Sequence, residues 1–106
     1  GVQTCALPIY IASAIVDGLI RFRGNCIIQT MFLTGTDAEG RDVDNTSERF
    51  VEPWLKALKV IGPERVMIYT IDRETPVSTL RKAVPATLDA IASRVKTLGI
   101  PCSVAY

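Results

Sequence analysis

The sequence has no histidine and only three cysteines, Cys5, Cys26 and Cys102. The missing histidine removes every Ser-His-Asp and Cys-His catalytic unit from within the chain. The cysteines lie far apart with no C-x-x-C pair, so a zinc site built from Cys and His is excluded as well. A disulfide framework is not expected in so Cys-poor a chain. Cys26 and Cys102 each open an apolar run and read as small buried hydrophobes, a common fate of free cysteine. No apolar stretch approaches the roughly 20 residues of a membrane span. The best candidate, residues 11–20, is interrupted by Asp17 and Gly18. Charge of one sign is not in excess either: 12 basic against 11 acidic residues give +1. A strongly basic face is therefore not expected, and nucleic acid is not indicated as a partner. Neither G-x-G-x-x-G nor G-x-x-x-x-G-K-S/T occurs, which removes the usual nucleotide-phosphate loops.

The 106 residues suffice for one small domain or part of a larger one. The opening "GVQTCALPI" reads as no strand, helix or turn. A signal peptide would carry a positive n-region and a longer apolar core, and this stretch has neither. Back-translated with one codon per residue, it gives GGA GTT CAG ACG TGT GCT CTT CCG ATC. Followed by the T that begins any codon for Tyr10, that string resembles the common adapter of high-throughput DNA sequencing. The expectation is that residues 1–9, Cys5 included, are an adapter-derived artefact. Residues 10–106 are then expected to be the C-terminal part of a longer chain. The first native strand would have an open apolar edge, and the fragment marginal solubility.

Beyond that stretch the punctuation is regular. Ile11, Ile15, Leu19 and Phe22 fall at helical spacing, and Gly24-Asn25 stops the helix. "CIIQTMFL", residues 26–33, reads as a strand covered on both faces. A polar loop follows, in which Asn45 or Thr46 is placed to cap the next helix and Glu48 suits its first turn. Phe50, Trp54, Leu58 and Ile61 share a face of that helix. Pro53 either kinks it or makes its main run start near Glu52. Gly62-Pro63 ends it, "RVMIYT" gives a second strand, and a second long loop follows. Pro85 opens a third helix with Leu88, Ile91, Val95 and Leu98 as its buried stripe. Gly99 stops it before a third strand in "IPCSVAY". The predicted order is α-β-α-β-α-β with parallel strands and right-handed crossovers. That pattern fits half of a (β/α) barrel or one wing of a doubly wound sheet.

In such folds chemistry gathers at the C-terminal ends of strands, and two long loops leave those ends. The first carries Asp37, Glu39, Arg41, Asp42, Asp44 and Asn45. Its length suits a calcium loop, but Arg41 and Asp42 stand where an oxygen ligand and a glycine are needed. The second carries Asp72, Arg73 and Glu74, which either orient an anionic ligand or close the loop as local ion pairs. Gln29 and Thr30 are the polar residues within the first strand and point to opposite faces. A buried amide there needs partners, either neighbouring backbone or a ligand.

The segments "GNCIIQTMFLTG", "VDNTSE", "PWLKALKVIGPERVMIYTIDRETP" and "LDAIASRVKTLGIPCSVAY" together resemble the C-terminal half of radical SAM proteins. The likeness is greatest to members described as Fe–S oxidoreductases, and "MIYTIDRETP" is its most specific part. The resemblance implies a half of a partial (β/α)6 TIM-type barrel, units four to six. It implies a cytoplasmic, metal-binding parent enzyme in which a C-x-x-x-C-x-x-C loop after the first strand holds a 4Fe–4S cluster. That cluster would cleave S-adenosylmethionine reductively and start radical chemistry on an unknown substrate. The loop is absent here, no residue of this chain would ligate the cluster, and the fragment alone is expected to be inactive. The missing N-terminal half of its own barrel would be its partner. By the same resemblance Gln29, Thr30, Tyr69 and Thr70 would face the cofactor, and Asp72 and Arg73 the substrate. Two other readings stand beside this one. One is a stand-alone small α/β binding module without catalysis. The other is a different barrel enzyme with its catalytic acid among Asp44, Asp72 and Glu74.

Overall fold

Parallel strands with helices between them dominate the computed structural model, which describes residues 2–7, 13–71 and 79–106. In chain order the elements are β1 (Gln3–Ala6), α1 (Ser13–Ile20), β2 (Cys26–Met31), β3 (Leu33–Gly35) and α2 (Glu48–Ile61), then β4 (Arg65–Tyr69), β5 (Leu80–Lys82), α3 (Pro85–Thr97) and β6 (Cys102–Ala105). The expected α-β-α-β-α-β series is present as α1-β2-α2-β4-α3-β6. The β1, β3 and β5 strands are additions to it.

The principal sheet has the order β1-β2-β4-β6, all parallel. Its spatial order follows the chain order without reversal. With right-handed crossovers, such winding keeps the connecting helices on one face. Alternation along the strands decides what each face carries. Cys26 and Ile28 of β2 and Val66 and Ile68 of β4 are fully buried beneath Trp54 and Leu58 of α2 and Leu88 and Val95 of α3. Each of the Val, Leu and Ile side chains among them contributes about 1.5–3 kcal/mol of apolar burial. The result is an α/β fold with a four-stranded parallel sheet, compatible with a partial α/β barrel.

Helix α2 shows how local signals competed. Asn45 and Thr46 do not cap it. The N-cap is Ser47, in extended conformation and without a side-chain bond. Asn45 is drawn away: its Nδ2 donates to the Met31 carbonyl at 2.9 Å, and its Oδ1 accepts from the Leu33 N–H at 3.0 Å. Thr46 instead donates its hydroxyl to Asp44 at 2.6 Å. The helix begins at Glu48, ahead of Pro53, rather than near Glu52. Pro53 lies on the exposed side, where Val51, Trp54 and Leu55 hold both flanking turns to the core. Gly62 ends the helix in the left-handed region at φ 60°, its N–H donating to the Leu58 carbonyl.

Three further expectations are corrected. The edge of β2 is not open, because Gln3–Ala6 pairs with it from Cys26 to Gln29. An exposed strand edge templates pairing largely through the main chain. The alternation of Cys5 and Leu7 lets both turn toward the core, with Leu7 fully buried. Leu98 does not extend the buried stripe of α3; it is the C-cap and is 37% exposed, while Ala92 takes an inward place. Finally, the two long loops are not wholly irregular. They pair with each other through antiparallel β3 and β5, Gly35 opposite Leu80. Gly35 has φ +95°, and a Cβ there would run into the Thr79 carbonyl oxygen, so glycine is required. Among the described residues no helix is long and apolar enough to cross a membrane.

Candidate functional site

The sheet face away from the helices carries the odd-numbered residues of β2, β4 and β6 in rows. Gln29, Met67 and Ser103 are register partners in one row, and Met31, Tyr69 and Ala105 in the next. These rows lie toward the C-terminal ends of the strands, where parallel α/β folds place their sites. There a pocket of about 540 Å³ opens. Gln29, Met67, Tyr69 and Ser103 form its floor, and Thr70 and Tyr106 stand among its walls.

Its polar groups have defined states. The Gln29 Nε2 lies 4.0 Å from the Met67 sulfur, a weak acceptor. The Thr70 hydroxyl accepts from the Ala83 N–H at 2.9 Å, which ties the end of the second loop to the end of β4. The Tyr106 hydroxyl donates to Asp89 Oδ1 on α3. That bond, with burial and the nearby carboxylate charge, pushes the phenol above the usual tyrosine range. Among the described residues lining the pocket, none is Asp, Glu, Lys or Arg.

The sequence-predicted site residues divide. Gln29, Tyr69 and Thr70 all line the pocket. Thr30 faces the helix layer instead. It is 2% exposed, accepts from the Trp54 indole N–H at 3.0 Å and donates to the Leu7 carbonyl at 2.7 Å. Gln29 and Thr30 thus take opposite faces, as their alternation requires. Asp72 and Arg73, with Glu74, lie outside the described residues. Met67, Ser103 and Tyr106 are lining residues that the sequence reading did not single out. The alternation in "VMIY" and "CSVAY" marks which residues share a face, but only the register of β4 against β6 brings those faces to one pocket.

The acidic first loop turns inward on itself. Asp37 Oδ1 accepts from the Glu39 and Arg41 N–H groups, and its Oδ2 binds the Arg41 guanidinium at 2.8 Å. These bonds, the main-chain Arg41 N–H foremost, hold the Asp37 carboxyl below its usual range. Asp42 and Asp44 likewise accept from backbone N–H groups two residues on. Among the described residues no cluster of three His, Cys, Asp or Glu side chains is placed to hold a metal ion. Burial pushes the Cys26 thiol up, with a smaller contribution from neighbouring Cys5, and burial does the same at Cys102. At Cys102 the nearby Lys96 charge works against burial without overcoming it, and a raised thiol disfavours the thiolate, the form that ligates or attacks.

No family model matches the sequence, and no curated protein matches it. The fold is similar to the crystal structure of a radical SAM methyltransferase from Sphaerobacter thermophilus, with a TM-score of 0.68 at 16% sequence identity. The match covers 92% of this chain and 27% of that one, so the chain spans about a quarter of that protein's length. At this identity the likeness is one of fold.

Proposed function

We propose that this chain is the C-terminal half of a partial (β/α)6 barrel from a radical SAM enzyme, and that the pocket face of its sheet is the barrel's inner side. The observation that carries the reading is the unreversed parallel order β1-β2-β4-β6, with its pocket at the strand ends, in a chain that matches a radical SAM protein over 92% of its residues. Gln29, Tyr69 and Thr70 would hold S-adenosylmethionine, offering an amide and two hydroxyls from adjacent strands. Thr30 would serve that site indirectly, by fixing β2 against α2. Bound beside a 4Fe–4S cluster held elsewhere in the parent barrel, S-adenosylmethionine would supply radical chemistry. The described residues offer no ligand set for such a cluster. Under this reading the chain alone is not an enzyme. Residues 1–9 are adapter-derived in the same reading, and β1 stands where a preceding barrel strand would pair.

Reading the gene upstream of the codons for Gly24 to Thr34 tests this. A C-x-x-x-C-x-x-C loop ahead of further β/α units, with "GVQTCALPI" gone, is the expected result. A start codon placed before an intact "GVQTCALPI" overturns it. That outcome favours the stand-alone α/β binding module, for which the covered β2 edge and a fully bonded buried interior speak. Among the described residues no buried side-chain N or O lacks a hydrogen-bond partner.

A further inference from the structure

The principal sheet ends in two outer strands, β1 and β6, and among the described residues neither has a partner on its outer side. All four strands run in one direction. The free edge of β6 can therefore take the free edge of β1 from another molecule and continue the same parallel ladder. Native edges are usually blunted by a charged residue, a proline or a bulge. Gln3–Ala6 and Cys102–Ala105 contain none of these: each is uncharged, proline-free and paired with its neighbour in unbroken register. Large apolar side chains stand exposed beside the same surfaces. Val2 precedes β1, Tyr106 follows β6, and Met31 and Tyr69 lie on the face between them.

Area decides how such edges can be met. One edge contact between four-residue strands falls well short of the roughly 800 Å² per partner that a stable interface buries. A two-fold arrangement meets both edges of each copy at once and encloses both open faces as well. Thr4 and Ala6 share that face with Gln29 through the register of β1 on β2, and the helices lie on the other side. Two four-stranded sheets make eight strands, the number at which a barrel's interior is just filled by its own side chains. We infer that the open face is covered by a second copy of this chain, the two closing about a two-fold axis into one parallel barrel with β6 of each against β1 of the other. The inference rests on the reading of that face as a barrel's inner side, and it names what covers it in the isolated chain. The open side of each pocket, over Gln29, Met67 and Ser103, then faces the same row of the second copy.

Sedimentation velocity of the full chain over about 1–100 µM measures the mass by mass action. A species of twice the 11.6 kDa chain mass is expected. In a mixture of isotope-labelled and unlabelled chain, intermolecular NOEs are expected between Gln3–Ala6 and Cys102–Ala105. Ser103→Lys adds bulk and charge to the middle of the enclosed row and is expected to weaken the dimer at least about tenfold. Val60→Lys, on the exposed outer side of α2, is expected to leave it unchanged. A monomer throughout the range overturns the inference, as does a dimer dispersed by Val60→Lys and not by Ser103→Lys. Mass that grows without limit overturns it too, because the edges then pair without closing. The NOE measurement in the unaltered chain stands without either variant. Failure here leaves the upstream-gene result untouched, and a gene without the cysteine loop leaves the measured mass standing.

Discussion

The Trp54 indole N–H donates to the Thr30 hydroxyl at 3.0 Å, and that one hydroxyl, donating onward to the Leu7 carbonyl, fastens α2 to β2 and β2 to the chain beside it. The Trp54 ring is fully buried and meets Phe32 edge-on, with centroids 5.2 Å apart. The bonds therefore lie where water cannot replace them. Thr30→Val keeps the shape and strands both the indole N–H and the carbonyl. It is expected to lose about 1–3 kcal/mol of stability in urea unfolding. Thr30→Ser keeps the hydroxyl and is expected to lose about 1 kcal/mol, for its missing methyl. Equal stability of Thr30→Val and the unaltered chain would show that the relay contributes nothing.

Gly35 tests the pairing of the two loops. Alanine there must adopt φ +95° and place its Cβ against the Thr79 carbonyl oxygen and 3.0 Å from the Arg81 nitrogen. Gly40 has φ +78° with open space around it and isolates the conformational part. Gly40→Ala is expected to cost about 1 kcal/mol, and Gly35→Ala more than that. Hydrogen exchange is the discriminating measurement. In Gly35→Ala protection should fall across β3 and β5 while the β2 and β4 amides keep theirs.

The parts of the fold legible in the sequence are those set by short-range chemistry. Gly62 and Pro85 mark helix ends because their backbone restrictions act within one turn, and the structure puts both at those ends. The strands Cys26–Met31 and Arg65–Tyr69 could be read from apolar runs alone. What stayed hidden depends on partners distant in the chain. Three-residue strands such as Leu33–Gly35 carry no period to detect, and only the return of Leu80–Lys82 makes them a ribbon. Asn45 looks like a helix cap until β2 supplies the Met31 carbonyl and the Leu33 N–H, partners it takes in preference. The site behaves likewise. Gln29 stood out as a polar residue in an apolar strand, but Ser103 joins it only through the register Gln29–Met67–Ser103.

Tyr106 provides a pH-dependent contact at the rim of the pocket. The hydrogen bond to Asp89 raises its pKa above the ordinary tyrosine range. A raised folded-state value means that its contribution is complete below the unfolded value and is lost as pH rises through the folded one. Tyr106→Phe should therefore be less stable than the unaltered chain at neutral pH, and the gap should close in strong alkali. The late-ionising component of the tyrosinate absorbance titration is expected to vanish in Tyr106→Phe and to move to lower pH in Asp89→Asn. A titration unchanged by either substitution would mean that the bond does not form in solution.

Glu48 and Arg94 give the opposite sign. The guanidinium donates to both carboxylate oxygens, at 2.6 and 2.8 Å, joining the first turn of α2 to the last turn of α3. The bonds from Arg94 hold the Glu48 carboxyl below its usual range, although burial works against them. For a depressed carboxyl the contribution is present above the ordinary glutamate pKa and disappears as pH falls through the depressed value. Both side chains are largely in water, at 61% and 43% exposure, so salt will screen the pair and its effect will be small. Arg94→Met is expected to melt slightly lower than the unaltered chain near pH 7, with the difference shrinking in high salt and vanishing in acid. Glu48→Gln should match it, and the double variant should be no worse than either alone, because one interaction is being removed in all three. Additive losses, or a difference that persists in acid, would assign the stabilisation to the helix ends separately and not to the bond between them.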